Sequence, residues 1–196
     1  MAYNRPFYEM YREYLQEKVV RENHDCMFRL FRSLTVPESL RVIDLGCGVG
    51  EYATYDYRYA SYVGIDLNNT GALKNFLQAD YLKLDFKDRL LFTPNAFVSL
   101  FSLECFHPAS ARYAFYEKLF GDFPAIRFGL VSGFFYESRR DQETVSETGG
   151  ITSYQTVEDP ARFISPVFTE LRVHMRTPSK MFGQDVVEVW KILVRK

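Results

Sequence analysis

The chain of 196 residues has only three cysteines, Cys26, Cys47 and Cys105. The number is odd, no two form a C-x-x-C pair, and none has a histidine at zinc-finger spacing. That argues against a disulfide framework and a zinc module, and a reduced, cytoplasmic protein is expected. An excess of charge of one sign is also lacking, since the formal net charge is −1 and the isoelectric point about 6.3. Without a basic excess there is no general electrostatic footprint for nucleic acid or an anionic membrane, so both are disfavoured as partners. No run approaches the roughly 18 uninterrupted apolar residues of a membrane span. The N-terminus, MAYNRPFYEMYREYL, lacks the apolar segment of a secretory signal. Internal repeats and low-complexity tracts are missing too. A single domain over residues 1–196 is therefore expected, long enough to bury a sizeable core.

Aromatic residues, by contrast, are abundant, with 18 Phe and 14 Tyr. Phe supplies core, whereas this many Tyr exceeds ordinary core needs and fits a cleft, where an apolar ring with a polar tip is useful. In the first 36 residues, Phe7, Met10, Tyr11, Tyr14 and Leu15 recur at helical spacing, and so do Cys26, Met27, Leu30, Phe31 and Leu34. One bent helix or two satisfy that pattern, and Pro37 ends it.

From Arg41 strands and helices alternate. Strands are expected at Val42–Leu45, Tyr62–Ile65, Phe76–Ala79, Ala96–Leu103 and Ile126–Gly133, with helices at Val49–Tyr59, at Thr70–Leu77 (overlapping the weak third strand) and after Pro108. The βαβαβ order predicts a parallel sheet with helices on both faces. Glu137–Gly150 reads as a polar loop or flap, and Glu158-Asp159-Pro160 as a helix start. Val167–Arg176 and Asp185–Val194 read as a closing antiparallel hairpin.

The chemistry is concentrated in RVIDLGCGVGE, residues 41–51: a buried strand, then glycines at 46, 48 and 50. Strand, glycine turn and helix make a nucleotide-binding corner. The dinucleotide fingerprint GxGxxG requires Gly or Ala five residues after the first glycine, and Glu51 stands there instead. No GxxxxGKS/T loop is present, which argues against a P-loop enzyme.

GxGxG preceded by Asp44 resembles motif I of the class I S-adenosylmethionine-dependent methyltransferases. VGIDLNN (63–69) is similar to their motif II, LQADYLKLDF (77–86) to the third-strand motif, and FVSLFSLECFHP (97–108) to the motif IV region. The resemblance covers most of the chain after residue 40. It implies an α/β, Rossmann-like three-layer sandwich with a mostly parallel seven-stranded sheet of order 3-2-1-4-5-7-6. A C-terminal antiparallel hairpin closes it, and residues 1–37 form a helical lid on a core of residues 38–196.

It also implies S-adenosylmethionine as cofactor, with Asp66 on the ribose hydroxyls, Asp80 or Tyr81 at the adenine, and Asp44 ordering the loop and the methionine end. Gly46, Cys47, Gly48, Gly50, Leu67 and Phe101 complete the cofactor set. No metal is expected.

At the rim of the sheet, His107 is either a general base or an N-cap before Pro108, and Glu104 either a rim carboxylate or a partner for an arginine. His24 and His174 read as surface and structural. Tyr8, Tyr11 and Tyr14 lie on one helical face, packed on the sheet or acting as lid. In the lid reading Tyr8, Tyr11 and Arg12 touch cofactor or substrate, with Phe134 and Tyr136 forming an aromatic wall for the acceptor. The expected activity is methyl transfer to a small molecule. The N/D-P-P-Y/F signature of amino-directed nucleic-acid methylases is missing, residues 102–105 being Ser-Leu-Glu-Cys. A protein methyltransferase and a non-catalytic cofactor- or partner-binding domain are the alternatives; the oligomeric state is left open.

Overall fold

The computed structural model describes residues 5–36, 39–54, 59–71, 73–102, 109–135, 143–145, 151–153, 170–181 and 184–195. Two helices, α1 (Arg5–Tyr14) and α2 (Lys18–Ser33), precede strand β1 (Arg41–Leu45) and the short helix α3 (Glu51–Thr54). Strands β2 (Ser61–Asp66), β3 (Phe76–Gln78) and β4 (Ala96–Leu100) follow, then helix α4 (Ala109–Asp122) and β5 (Phe128–Phe135). A small hairpin, β6 (Glu143–Val145) with β7 (Ile151–Ser153), comes before the long strands β8 (Glu170–Met181) and β9 (Gln184–Val194).

The main sheet has seven strands in the order β3-β2-β1-β4-β5-β9-β8. With the small hairpin set aside, this is the expected order 3-2-1-4-5-7-6. The first five strands run parallel, and β9 pairs antiparallel with both β5 and β8.

Strand alternation builds two cores. Ile43, Leu45, Phe97, Val131 and Leu193 point to one face and pack with α4 through Tyr116, Leu119 and Phe120. Val42, Val98, Leu130, Trp190 and Ile192 point to the other, against Tyr11 and Tyr14 of α1 and Met27, Phe28 and Phe31 of α2. The period-2 pattern of doubly covered strands thus fixes which residues of each strand meet which helices.

Four sequence expectations change. The stripe of α2 lies about one residue round from the expected one: Val20, His24, Met27, Phe28 and Phe31 are buried, whereas Cys26, Leu30 and Leu34 are exposed. No helix forms at 70–71 or 73–75; Gly71 adopts φ +73° and its amide donates to Asn69 Oδ1, a local turn that competes with a helix. Only residues 51–54 of the expected Val49–Tyr59 helix are described as helical. Part of the expected polar loop is strand β6, where Thr144 and Val145 face Thr152 and Ile151 of β7. The segment Glu158-Asp159-Pro160 lies outside the described residues.

Candidate cofactor site

The glycine loop is held at both ends. The amides of Gly46 and Cys47 both donate to the Ile65 carbonyl of β2, at 2.8 and 3.2 Å. The Gly50 amide closes a tight turn onto the Cys47 carbonyl at 2.7 Å. Gly46, Gly48 and Gly50 all have positive φ, at 70°, 50° and 75°, a region costly for other residues. Space is also limiting: a Cβ on Gly46 would stand 2.6 Å from Ser102 Cβ, and one on Gly50 2.6 Å from Leu73 Cδ2.

Asp66 ends β2 beside this loop. Its Oδ2 accepts from the Gly48 amide at 3.0 Å, and its Oδ1 from the Asn68 amide at 2.9 Å and, more weakly, from the Tyr8 hydroxyl at 3.4 Å. Burial raises its pKa, partly offset by the Asn68 and Gly48 amides. A carboxylate has about four acceptor positions, so lone pairs are left for a ligand diol. Asp44 is fully covered and accepts from the Tyr62 hydroxyl at 2.7 Å. Burial lifts its pKa to about 7, with Glu51 and Asp66 adding to the rise and the Tyr62 bond opposing it. Burial, with the charges of Asp44 and Asp66, also pushes the Cys47 thiol well up, so it behaves as packing rather than as a nucleophile.

These groups line one pocket. Asp66, Leu67, Asp80, Tyr81 and Leu82 are part of its lining. Asp80 Oδ1 accepts from the Leu82 amide at 3.1 Å and its Oδ2 pairs with Lys83 at 3.3 Å; Tyr81 donates to the Ser102 carbonyl at 3.1 Å. Tyr11, Asp44, Glu51, Tyr52, Leu100 and Phe101 line it too, with Tyr8, Gly46, Cys47, Gly48 and Ser102 also in the wall. Phe101 enters it from a backbone at φ +51°, held by its amide on Ser132. Among the described lining residues four are carboxylates (Asp44, Glu51, Asp66 and Asp80) and none is Lys, Arg or His.

Of the residues singled out in sequence, Asp44, Gly46, Cys47, Gly48, Asp66, Leu67, Asp80, Tyr81, Phe101, Tyr8 and Tyr11 meet in this pocket. Gly50 lies behind it against Leu73, and Arg12 lines a separate depression between α1 and α2. Glu104, His107 and Tyr136 lie outside the described residues, and of Phe134 only the backbone, at the end of β5, is described. No group of His, Cys, Asp and Glu among the described residues is arranged to hold a metal ion, and no described helix is long and apolar enough to cross a membrane.

The sequence reading missed a buried polar chain behind the pocket. His24, expected at the surface, is fully buried. Its Nδ1 hydrogen-bonds Glu51 Oε1, and its Nε2 faces Glu188 Oε2 at 3.2 Å. Tyr11 donates to Glu51 Oε2 at 2.9 Å, and Trp190 Nε1 donates to Glu188 Oε2 at 3.0 Å. The available signal was the i, i+4, i+7 spacing of Val20, His24 and Met27, which puts the imidazole on the apolar stripe of α2.

No family model and no curated protein matches the sequence. Solved structures do match in fold. One is a Burkholderia thailandensis 1,6-didemethyltoxoflavin-N1-methyltransferase with bound 1,6-didemethyltoxoflavin and S-adenosylhomocysteine, at TM-score 0.63 and 14% identity, covering 96% of this chain and 90% of that one. A magnesium protoporphyrin IX methyltransferase from Synechocystis with bound S-adenosylhomocysteine aligns at TM-score 0.63 and 15% identity, over 98% and 95% of the two chains. The cyclase SpnF aligns at TM-score 0.56 and 14% identity, over 87% and 80%. With the sheet order and the glycine loop already described, these likenesses show that the chain has the fold of the class I S-adenosylmethionine-dependent methyltransferases.

Proposed function

We propose that the protein is a methyltransferase that binds S-adenosylmethionine in this pocket and transfers its methyl group to a small molecule. The observation that carries the reading is the charge of the lining: four carboxylates and no cation among the described lining residues. Such a lining fits a ligand with a sulfonium, an ammonium and a ribose diol, and is hostile to the pyrophosphate of a nicotinamide dinucleotide. Asp66 takes the ribose hydroxyls on the lone pairs that Gly48 and Asn68 leave open. Asp80 and Tyr81 flank the adenine. Asp44, Gly46 and Phe101 surround the methionine end.

When bound, the cofactor supplies an already activated methyl group, so the chain's part is to align it and exclude water. Tyr8 and Tyr11 of the lid helix cover the loop, and a Cβ on Gly48 would stand 3.3 Å from the Tyr8 ring. A small acceptor accords with the near-neutral chain and with neighbours of the same fold that act on a toxoflavin precursor and on a porphyrin. Phe134 and Tyr136 are proposed as its wall, and Glu104 and His107 as rim groups acting on it. A cytoplasmic location is proposed, on the support of the three scattered cysteines.

Titration calorimetry with S-adenosylmethionine, S-adenosylhomocysteine and NAD, followed by transfer of a labelled methyl group to an acceptor panel, tests the reading. Binding of the first two and not of NAD is expected; binding of NAD alone overturns it. The cyclase of the same fold keeps a second reading in play, cofactor-site chemistry without methyl transfer. Tight binding with no turnover of any acceptor favours it.

A further inference from the structure

We infer that Tyr11, Glu51, His24 and Glu188 form a proton relay that takes the proton from a methyl acceptor whose attacking atom still carries one, a hydroxyl above all. The inference rests on the methyltransferase reading and assigns a task within it.

The chain starts at the pocket. Tyr11 and Glu51 both line it, and the Tyr11 ring packs edge-on against Phe101, one of the residues the proposed function sets around the methionine end. Tyr11 donates to Glu51, and His24 bridges Glu51 to Glu188. Four elements contribute, α1, α3, α2 and β9, so the arrangement belongs to the assembled fold.

Counting protons shows what the triad can do. Each imidazole nitrogen faces a carboxylate, and a carboxylate only accepts, so each contact needs one proton. A neutral imidazole has a single N–H. The three groups therefore share one proton more than a neutral histidine with two carboxylates would hold, and their net charge is −1. A further proton would make them neutral, which burial favours.

A place for it exists. Glu188 Oε1 is buried and has no hydrogen-bond partner among the described residues. Burial lifts the Glu188 pKa to about 7, against the opposing bond from Trp190, and an acceptor tuned near the operating pH suits proton transfer. There is also a way out: the depression between α1 and α2, rimmed by Arg12, Lys18 and Arg21, reaches down to Glu51 and His24. Other titratable groups on this side are Glu22 and Asp25 at the depression, Asp44 and Asp66 in the pocket wall and Tyr62 behind Asp44, while the buried Lys191 of β9 lies on the opposite face of the sheet from Glu188.

In the step, the acceptor's proton passes to Tyr11 Oη while the Tyr11 proton passes to Glu51. The acceptor–methyl bond forms as the methyl–sulfur bond breaks, and the electron pair stays on sulfur. The proton gained by the triad then leaves through the depression, so atoms and charge balance without a further reactant.

The test compares phenol, which must lose its proton, with thiophenol, which has already lost it near neutral pH. Tyr11→Phe and Glu51→Gln are expected to lower kcat for phenol by about 100-fold, with KM little changed and the acidic limb of the pH–rate profile lost, while thiophenol is spared. Calorimetry should show S-adenosylhomocysteine still bound by both variants. Independently of turnover, NMR of the wild type should show two strongly deshielded imidazole N–H protons that disappear in His24→Gln. Equal loss with both acceptors, phenol transfer untouched by the variants, or a single such N–H proton overturns the relay and leaves the methyltransferase reading standing. Cofactor binding without transfer to any acceptor of the wider panel removes both.

Discussion

Asp66 Oδ2 accepts the Gly48 amide at 3.0 Å, so the acid that ends β2 also pins the middle of the glycine loop after β1. One side chain thus shapes the loop and presents its remaining lone pairs to the pocket. The loop's geometry and the candidate ribose contact cannot be varied independently.

Asp66→Ala should therefore weaken S-adenosylhomocysteine binding by roughly 10- to 100-fold, the loss of one or two hydrogen bonds to a charged acceptor. Tyr8→Phe should cost far less, because its bond to Asp66 is long at 3.4 Å. Titration calorimetry on the two variants checks the ranking. Equal effects would remove Asp66 from its ribose role.

Gly46→Ala should destabilise the fold by about 1–3 kcal/mol, since it combines positive φ with a close clash. Its new Cβ would stand 2.6 Å from Ser102 Cβ, whereas a Cβ on Gly71, also at positive φ, meets nothing within 4 Å. Gly71→Ala isolates the backbone strain, so urea unfolding should find the Gly46 variant clearly the less stable.

The parts of this site legible in the sequence are those encoded locally. The glycines at 46, 48 and 50 and the acids at 44 and 66 stand at the ends of apolar runs, and a run long enough to be a strand fixes where its last residue emerges. The same runs pointed to a parallel sheet with a closing hairpin, whereas the strand order came from the family resemblance alone. What escaped depends on contacts distant in sequence. His24 has Asn23 and Asp25 beside it and reads as surface, yet its helix turns it onto the stripe with Val20 and Met27. Its carboxylate partners are 27 and 164 residues away, and no local pattern links them. The stretch around Gly71 misleads in the opposite way. Its composition allows a helix, but Leu73 fills the space left by the missing Cβ atoms of Gly50 and Gly64, which favours a packed loop.

His24→Ala should destabilise the protein by about 3–5 kcal/mol, the usual cost of leaving buried charge without its partner. A double-mutant cycle with Glu51→Gln checks the origin of that loss. If the carboxylate at 51 is the group left stranded, the second substitution recovers part of the stability. Strict additivity would mean that the loss comes from apolar packing against Phe28, Phe101 and Trp190 instead.

Stability should fall as pH rises across the neutral range. In the folded protein Asp44 and Glu188 each titrate at about 7, raised mainly by burial, whereas in the unfolded chain such groups ionise near ~4. Between those values the folded state holds protons that the unfolded state has lost, so the slope of unfolding free energy against pH is negative. The effect begins above about pH 4 and levels off above about pH 7. Asp44→Asn and Glu188→Gln each remove one titrating group and should flatten the profile. Thermal unfolding from pH 5 to 8 would show it: the wild-type Tm declines, and the variants lose less over the same range, by at least the ~2–4 °C that 1 kcal/mol represents in a chain of this size. A wild-type Tm that rises steadily to pH 8, with the variants running parallel to it, would mean that both carboxylates are ionised in the native state.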